Sequence, residues 1–362
     1  MKNFYIEYIK EYREQIKKGM VSEFSIFTIE TDKKINFDDI VTLQQNIKDK
    51  SMDSFNVHHE TTSVYLDNIE EYEYLYNNLK DDYSKKKYIQ YYTHQTLNSQ
   101  YYNAPFDMEL VTNKLHEIKQ HLDSSYSSIS DKVIGKLDVY NLKELGFEVK
   151  LWINPIGIVI DFILEQYRYK NLINTKKDDI VIDCGGSTGD TAIYFAAKGA
   201  KKVYVYEFIQ SSTDLIEKQL RLNTHLEDKI KLINNAVWEK SNIELSYEDK
   251  GNSTFVGEKD KYAEKVFTLS IDDLVENEKM STVDLLKMDI EGAEYSALLG
   301  ARRTIQKFKP NLAISIYHKK DDLYTIPKLI KKMLPEYDFY FDYYTDGRYE
   351  AMLYAVYNKS NI

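Results

Sequence analysis

The sequence contains very little cysteine and no long apolar run. A single cysteine, Cys184, occurs among its 362 residues, which excludes an internal disulfide bond and a zinc site built from several thiolates. No stretch approaches the ~20 apolar residues that a bilayer-spanning helix requires. Residues 1–18 are charged throughout and lack the apolar core of a signal peptide. We therefore expect a cytoplasmic protein without a membrane span.

Basic residues are outnumbered by acidic ones. The chain has 48 Lys and Arg residues against 58 Asp and Glu residues, which gives a formal net charge of -10. Such a charge argues against a nucleic acid or an anionic membrane as the main partner. A hydrophobic fraction of 43% and a charged fraction of 29% are typical of a soluble globular protein. The length allows one large domain or two ordinary ones.

Glycine and proline are nearly absent from the first third of the chain. Before Gly135 only Gly19 and Pro105 interrupt the sequence. Apolar residues recur with helical spacing at Tyr5, Ile9 and Tyr12, at Ile69, Tyr72, Leu75 and Leu79, and at Leu110, Leu115, Ile118 and Leu122. We predict a mainly helical region over residues 1–135, with a short strand near residues 24–29. It would support homo-oligomer formation or cover a substrate.

From residue 136 onward, strand and helix patterns alternate, which predicts a parallel sheet with helices on both faces. Strands are predicted at 149–153, 179–184, 202–207, 229–235, 242–247, 265–269, 283–289 and 311–317, and helices at 155–169, 190–198, 212–222, 270–276, 293–306 and 322–333. Two final strands, 339–344 and 351–357, flank a turn and predict an antiparallel hairpin. A doubly wound α/β sheet that ends in such a hairpin is the Rossmann-like layout of class I methyltransferases. We assign residues 136–362 to this domain.

A glycine-rich turn between a buried strand and a helix predicts a site for a nucleotide-like cofactor. The residues expected to line it are Asp183, Gly185, Gly186, Ser187, Thr188, Gly189 and Asp190. Glu207 ends the next strand, where a carboxylate can accept hydrogen bonds from both ribose hydroxyls. Asn235 and Ala236 end the third strand, where adenine usually lies in such sheets.

Three acids lie at the end of the strand predicted at 283–289 and just beyond it. Asp289 ends that strand, and Glu291 and Glu294 lie in the turn and helix beyond it. Asp289 would also lie beside the cofactor turn, and Lys287 shares its face of the strand. The acids could bind substrate, accept its proton or hold a divalent cation. Because hydrogen bonds to sugar hydroxyls explain them equally well, a metal is not favoured; Lys287, Glu291 and Glu294 are assigned to the substrate.

His318 ends the following strand at the same edge of the sheet. Histidine can take up a proton near neutral pH, so we predict His318 as the general base, with Asp289 as the competing candidate. Glu291 completes the predicted catalytic group.

The run V-D-L-L-K-M-D-I-E-G-A-E at 283–294 resembles the signature of the FkbM family of S-adenosylmethionine-dependent methyltransferases. The turn at 183–191 is similar to that family's cofactor loop, and Asn235-Ala236-Val237 with residues 252–254 resembles its middle segment. The resemblance covers residues 175–357. It implies S-adenosylmethionine as cofactor and methyl transfer to a hydroxyl of a sugar, a glycan or a glycosylated metabolite. Phe208, counted with the cofactor residues, stands where the family commonly has proline, and Cys184 replaces a small apolar residue.

Two other functions remain open at this point. A nicotinamide-dependent oxidoreductase would explain the glycines and Glu207, but neither the C-terminal hairpin nor the acids after residue 288. A methyltransferase fold without catalytic activity could serve as an interaction module. The intact glycines and acids argue against this second alternative.

Overall fold

The computed structural model describes residues 2–19, 65, 67–96, 106–131, 135–248, 255–257 and 264–358. The strand predicted near residues 24–29 and the segment 252–254 lie outside these ranges. Contacts divide the chain into two compact units, one formed by Met1–Asp107 with Tyr340–Ala351 and the other by Met108–Phe339 with Met352–Ile362. Residues 108–135 thus group with the larger unit, and a domain boundary near residue 135 stays a prediction.

The first unit is helical, as predicted, and its core is aromatic. It contains helices α1 (Lys2–Gly19), α2 (Ile69–Asn78) and α3 (Asp82–Thr96). Tyr88 and Tyr92 are fully buried, and each hydroxyl donates to a backbone carbonyl, at 2.8 and 2.7 Å. Buried tyrosines contribute large apolar area once their hydroxyls find acceptors. Much of the tyrosine content of this region therefore has a packing role.

The second unit holds the predicted α/β sheet. Its elements are α4 (Met108–Ile118), β1 (Ile129–Asp131), β2 (Gly135–Asn141), β3 (Lys150–Ile153), β4 (Ile180–Cys184), α5 (Asp190–Ala197), β5 (Lys202–Tyr206), α6 (Gln210–Leu222), β6 (Ile230–Ile233), β7 (Ala236–Val237), β8 (Glu244–Glu248), β9 (Phe255–Gly257), β10 (Glu264–Leu269), α7 (Ile271–Asn277), β11 (Leu285–Met288), α8 (Glu294–Leu299), α9 (Arg302–Phe308), β12 (Asn311–Ser315), α10 (Asp322–Met333), β13 (Tyr337–Tyr343) and β14 (Ala351–Tyr357). Short 3₁₀ segments span Lys119–His121, Lys143–Leu145 and Thr224–Lys229. Strands β13 and β14 each include residues of both units.

The main sheet has seven strands in the order β13-β14-β12-β11-β4-β5-β6. The five strands from β12 to β6 run parallel, and β14 pairs antiparallel with β12. All four residues of β11 are buried, as expected for a parallel strand covered on both faces. The carboxyl ends of β4, β5, β11 and β12 therefore share one edge. None of the helices among the described residues is long and apolar enough to cross a membrane.

Two predicted helices differ from the structure. The segment predicted as a helix at 155–169 begins with one turn, Pro155–Gly157, and continues as a π-helix, Ile158–Ile163. The helix predicted at 293–306 is two helices, α8 and α9, separated at Gly300. A Cβ at Gly300 would lie 2.1 Å from the carbonyl oxygen of Trp238, so the backbone approaches a distant segment closely at this break.

Two small sheets were only partly predicted. Strands β1, β2 and β3 form an antiparallel sheet, of which the sequence analysis identified β3 alone. Strands β7, β10, β8 and β9 form a second sheet after β6. Ala236 begins this sheet directly after Asn235, whereas β6 ends at Ile233, so the prediction that these two residues end the third strand was wrong. The small sheet follows the edge of the main sheet where the cofactor residues were predicted.

Candidate functional site

A buried ion pair joins the central strands beneath the site. Register pairs Lys287 on β11 with Asp183 on β4, and Lys287 Nζ lies 2.9 Å from Asp183 Oδ1, with side chains 1% and 0% exposed. Asp183 Oδ2 accepts a 2.6 Å hydrogen bond from the Thr191 hydroxyl. Burial lowers the pKa of Lys287, but Asp183 and Asp289 outweigh burial and raise it to about 12. Lys287 is therefore charged, and it is buried against the glycine-rich turn after β4 rather than open to a substrate, as had been predicted.

The glycine turn, residues 185–189, is held against the end of β11. Lys287 Nζ donates to the carbonyl of Gly185 at 2.6 Å. Gly185 has φ +86°, and a Cβ there would lie 1.9 Å from the carbonyl oxygen of Asp289. At Gly186 a Cβ would lie 2.3 Å from Val205 Cγ1. Both glycines are thus required by contacts within the protein, a role that the sequence analysis had given to the cofactor.

We expect Gly185→Ala to destabilise the fold more than Gly146→Ala. Both glycines have φ near +90°, but nothing lies within 4 Å of a Cβ at Gly146. The alanine strain common to both is about 1 kcal/mol. The overlap at Gly185 adds about 1–3 kcal/mol, which chemical denaturation of the two variants measures. Equal free energies of unfolding would contradict the close approach to Asp289.

Glu207 ties the glycine turn to the end of β5. Its Oε2 accepts from the backbone N–H of Ser187 at 2.9 Å, and its Oε1 accepts from those of Phe208 and Ile209 at 2.7 and 2.9 Å. Burial raises the pKa of Glu207, and these backbone hydrogen bonds oppose the rise. An ionised carboxylate offers about four acceptor positions, so capacity for a ligand hydroxyl remains.

The remaining predicted cofactor residues surround the same edge. Ser187 has φ +42°, Thr188 is buried, and Asp190 begins α5, where its Oδ1 accepts from the N–H of Thr191 at 2.9 Å. Desolvation raises the pKa of Asp190. A carboxylate in such surroundings is a suitable partner for a ligand ammonium group.

The small sheet after β6 supplies an apolar wall. Ala236 belongs to a buried cluster, and Phe208 packs against that cluster. The Phe208 ring meets the ring of Tyr247 edge to face, with centroids 5.0 Å apart. The side-chain amide of Asn235 donates to the carbonyl of Phe267 at 3.0 Å. The sequence analysis did not predict Tyr247 as a site residue. Its position on the strand predicted at 242–247 was the only feature of the sequence that pointed to it.

The acid cluster, which we define as Asp289, Glu291, Glu294 and His318, forms around the imidazole ring. His318 Nδ1 lies 2.9 Å from Glu294 Oε1, and His318 Nε2 lies 3.3 Å from Asp289 Oδ1 and 3.6 Å from Glu291 Oε2. The structure thus brings together all four residues that the sequence placed at the ends of β11 and β12. The backbone N–H of Ile290 donates to Glu294 Oε1 at 2.8 Å.

The cluster favours a charged histidine. Burial lowers the pKa of His318, but the surrounding carboxylates raise it to about 9. Burial and the neighbouring acids raise the pKa of Glu291 to about 7, against the lowering effect of His318. An imidazolium cannot accept a proton, so this arrangement makes His318 a poor general base near neutral pH. Glu291 also has φ +55°, a strained conformation of the kind that is frequent at functional sites.

Two tyrosines that the sequence analysis did not single out complete the site. The hydroxyl of Tyr167 donates to Asp289 Oδ2 at 3.1 Å, and that of Tyr317 donates to Asp289 Oδ1 at 3.3 Å. The Lys287 ammonium lies 5.1 Å from the centroid of the Tyr167 ring. In the sequence, only the position of Tyr317 directly before His318 indicated that it could belong to the site. Asp289 is therefore fixed from both sides.

Comparison with known proteins gives the family of this site. Residues 183–341, which include the glycine turn, Glu207 and the acid cluster, match the sequence profile of the methyltransferase FkbM domain. Over these residues the chain is similar to the methyltransferase FkbM domain. The resemblance seen in the sequence is confirmed, and the FkbM match favours methyl transfer over nicotinamide-dependent chemistry. No curated protein shows significant similarity to the chain.

Solved structures of other proteins share the fold. The methyltransferase FkbM from Methylobacillus flagellatus KT is 21% identical with a TM-score of 0.53; the alignment covers 81% of this chain but only 60% of that one. The METTL16 methyltransferase domain is 13% identical (TM-score 0.40, 70% of this chain and 92% of that one). SMU.1697c from Streptococcus mutans, a putative methyltransferase in complex with SAH, is 10% identical (TM-score 0.33, 51% and 92%). The first likeness confirms the class I methyltransferase fold; the other two are too distant to add to it.

Proposed function

We propose that this protein is an S-adenosylmethionine-dependent O-methyltransferase that acts on a hydroxyl of a sugar, a glycan or a glycosylated metabolite. The observation that carries the proposal is the direct contact between the cofactor turn and the acid cluster. The backbone N–H of Asp289 donates to the carbonyl of Cys184 at 3.1 Å, and Gly185 packs on the Asp289 carbonyl. A cofactor on the turn would therefore lie beside the carboxylates that receive the acceptor.

The residues at the turn fit the chemical groups of S-adenosylmethionine. Glu207 retains acceptor capacity for one ribose hydroxyl, and the desolvated carboxylate of Asp190 suits the ammonium of the amino-acid part. Phe208, Ala236 and Tyr247 provide an apolar surface suited to adenine. When bound, this cofactor supplies a methyl group on a positively charged sulfur, which needs no further activation. The protein's contribution is then to align the acceptor and to remove one proton.

Among the acids, Glu291 is the best placed to take that proton. Its side chain is 33% exposed, compared with 17% for Asp289 and 0% for Glu294. Both oxygens of Asp289 already accept from tyrosine hydroxyls, which fixes the orientation of its carboxylate. We therefore assign Glu291 as the general base and Asp289 as an acceptor-positioning group. His318 would hold the carboxylates together.

The chemistry of the cluster favours an alcohol as the acceptor. Its side chains are rich in oxygen acceptors, and hydroxyl groups are the donors that such carboxylates bind. A sugar hydroxyl is a weak acid, so a base beside it contributes typically ~10²–10⁴ in rate. Two neighbouring hydroxyls of one sugar ring would use both Asp289 and Glu291.

Titration calorimetry with S-adenosylmethionine tests the cofactor assignment. We expect wild-type binding and a loss of about 10–100-fold in affinity for Glu207→Gln, because hydrogen bonds to a charged group contribute ~1.5–3 kcal/mol. The exposed Glu227 gives the control variant Glu227→Gln, which should bind as wild type. Thermal unfolding without cofactor separates a loss of affinity from local unfolding of the turn. A wild-type protein that binds no cofactor would refute the proposal.

A further inference from the structure

We propose that Asp289, Glu294 and His318 bind a divalent metal ion. Each offers one ligand atom, and these atoms all lie within 4.8 Å of one another. Octahedral bonds of ~2.1 Å put neighbouring ligand atoms ~3 Å apart and opposite ones ~4.2 Å apart. The 2.9 Å between His318 Nδ1 and Glu294 Oε1 is of the size expected for neighbouring ligands. The sequence alone had not favoured a metal ion at these residues.

The state of Glu294 is an independent sign of a missing ligand. Its side chain is 0% exposed, and its Oε2 has no hydrogen-bond partner among the described residues. A buried carboxylate oxygen without a partner is costly, and buried charges are normally paired or coordinate metals. Oε1 already accepts from the backbone N–H of Ile290 and faces the imidazole, so an ion beside Oε2 would give the carboxylate the partner that it lacks.

The charge of the cluster points the same way. Asp289, Glu291 and Glu294 surround one imidazole ring. Lys319 beside Gly292 and Asp322 at the start of α10 also border the cluster. The acidic side chains of the cluster outnumber its imidazole by three to one, and a divalent ion among them would reduce their mutual repulsion.

The ligand set selects the kind of ion. Imidazole suits first-row transition metals, and carboxylates suit Mn²⁺, whereas Mg²⁺ and Ca²⁺ prefer oxygen alone. Three protein ligands leave coordination positions open for acceptor hydroxyls. The catalytic use of the ion rests on the proposed function. If an acceptor hydroxyl occupied such a position, Glu291 would take its proton. The hydroxyl oxygen would form the new bond to the methyl carbon as the carbon–sulfur bond breaks, and the electron pair of that bond would stay on sulfur.

Electron paramagnetic resonance with Mn²⁺ tests the site on the full chain after treatment with a chelator. We expect about one bound Mn²⁺ per chain. Glu294→Gln and His318→Ala should each weaken binding by at least about tenfold, in line with the ~10–100-fold effects of groups that support metal sites. Glu276→Gln is the matched control, since that side chain is 73% exposed, and it should bind as wild type.

No saturable Mn²⁺ binding, or binding unchanged in both variants, would overturn the metal site. If Glu294→Gln fails to fold, the Mn²⁺ affinity of Asp289→Asn is measured instead, because Asp289 is partly exposed and its substitution should disturb the fold less. Cofactor calorimetry on the same samples separates the two proposals. Cofactor binding without Mn²⁺ binding refutes the metal site alone, and Mn²⁺ binding without cofactor binding supports the metal site while the proposed function fails.

Discussion

Lys287→Met should destabilise the protein by about 3–5 kcal/mol. The ammonium of Lys287 lies 2.9 Å from Asp183 in a pair that is almost fully buried. Methionine fills similar space but leaves the Asp183 carboxylate buried without its cation, and breaking a buried pair from one side costs about this much. Chemical denaturation, followed by circular dichroism, measures the difference from wild type.

Two further variants show whether burial causes the effect. Lys231→Met removes the cation of a pair with a similar separation, 2.7 Å to Glu278, but with side chains 43% and 25% exposed, and should cost no more than about 1 kcal/mol. The double variant Lys287→Met with Asp183→Asn should recover much of the lost stability, because replacing both partners removes the uncompensated charge. A double variant no more stable than Lys287→Met would show that the charge is not the cause.

The main sheet could be predicted because its strands are buried on both faces. Strand β4 is almost wholly buried and therefore appears in the sequence as an unbroken apolar run next to glycines. Irregularities in helices that depend on contacts with distant segments have no comparable pattern in the sequence. The gap between α8 and α9 reflects the approach of Gly300 to the Trp238 carbonyl, and the π-helix at Ile158–Ile163 follows a pattern that looks helical.

The location of the site was predictable, but its contacts were not. Asp289 and His318 follow adjacent strands, so their shared edge follows from parallel pairing. That His318 faces carboxylates through both nitrogens depends on where α8 begins and on the turn at Glu291. Tyr167 and Tyr317 are two of 32 tyrosines, and nothing in a single sequence distinguishes them from those that pack the core.

Removal of the proposed base should have the largest effect on catalysis. Glu291→Gln keeps the size of the side chain but cannot accept a proton, so we expect turnover to fall by about 10²–10⁴-fold, with cofactor affinity nearly unchanged. The assay follows labelled methyl from S-adenosylmethionine to a panel of glycosides. Glu350→Gln is the control, because Glu350 is another glutamate with positive φ, +57° against +55° for Glu291, and it should retain wild-type turnover.

The same assay on Asp289→Asn distinguishes the two carboxylates. If Asp289 positions the acceptor, its amide variant should mainly raise KM, since an amide still accepts a hydrogen bond from a hydroxyl. If Asp289 is the base instead, kcat should fall by about 10²–10⁴-fold in Asp289→Asn but not in Glu291→Gln. Because Asp289 is held by two tyrosine hydroxyls while Glu291 stands open, the structure favours the first pattern. Full turnover in both variants would remove the acid cluster from the chemistry altogether.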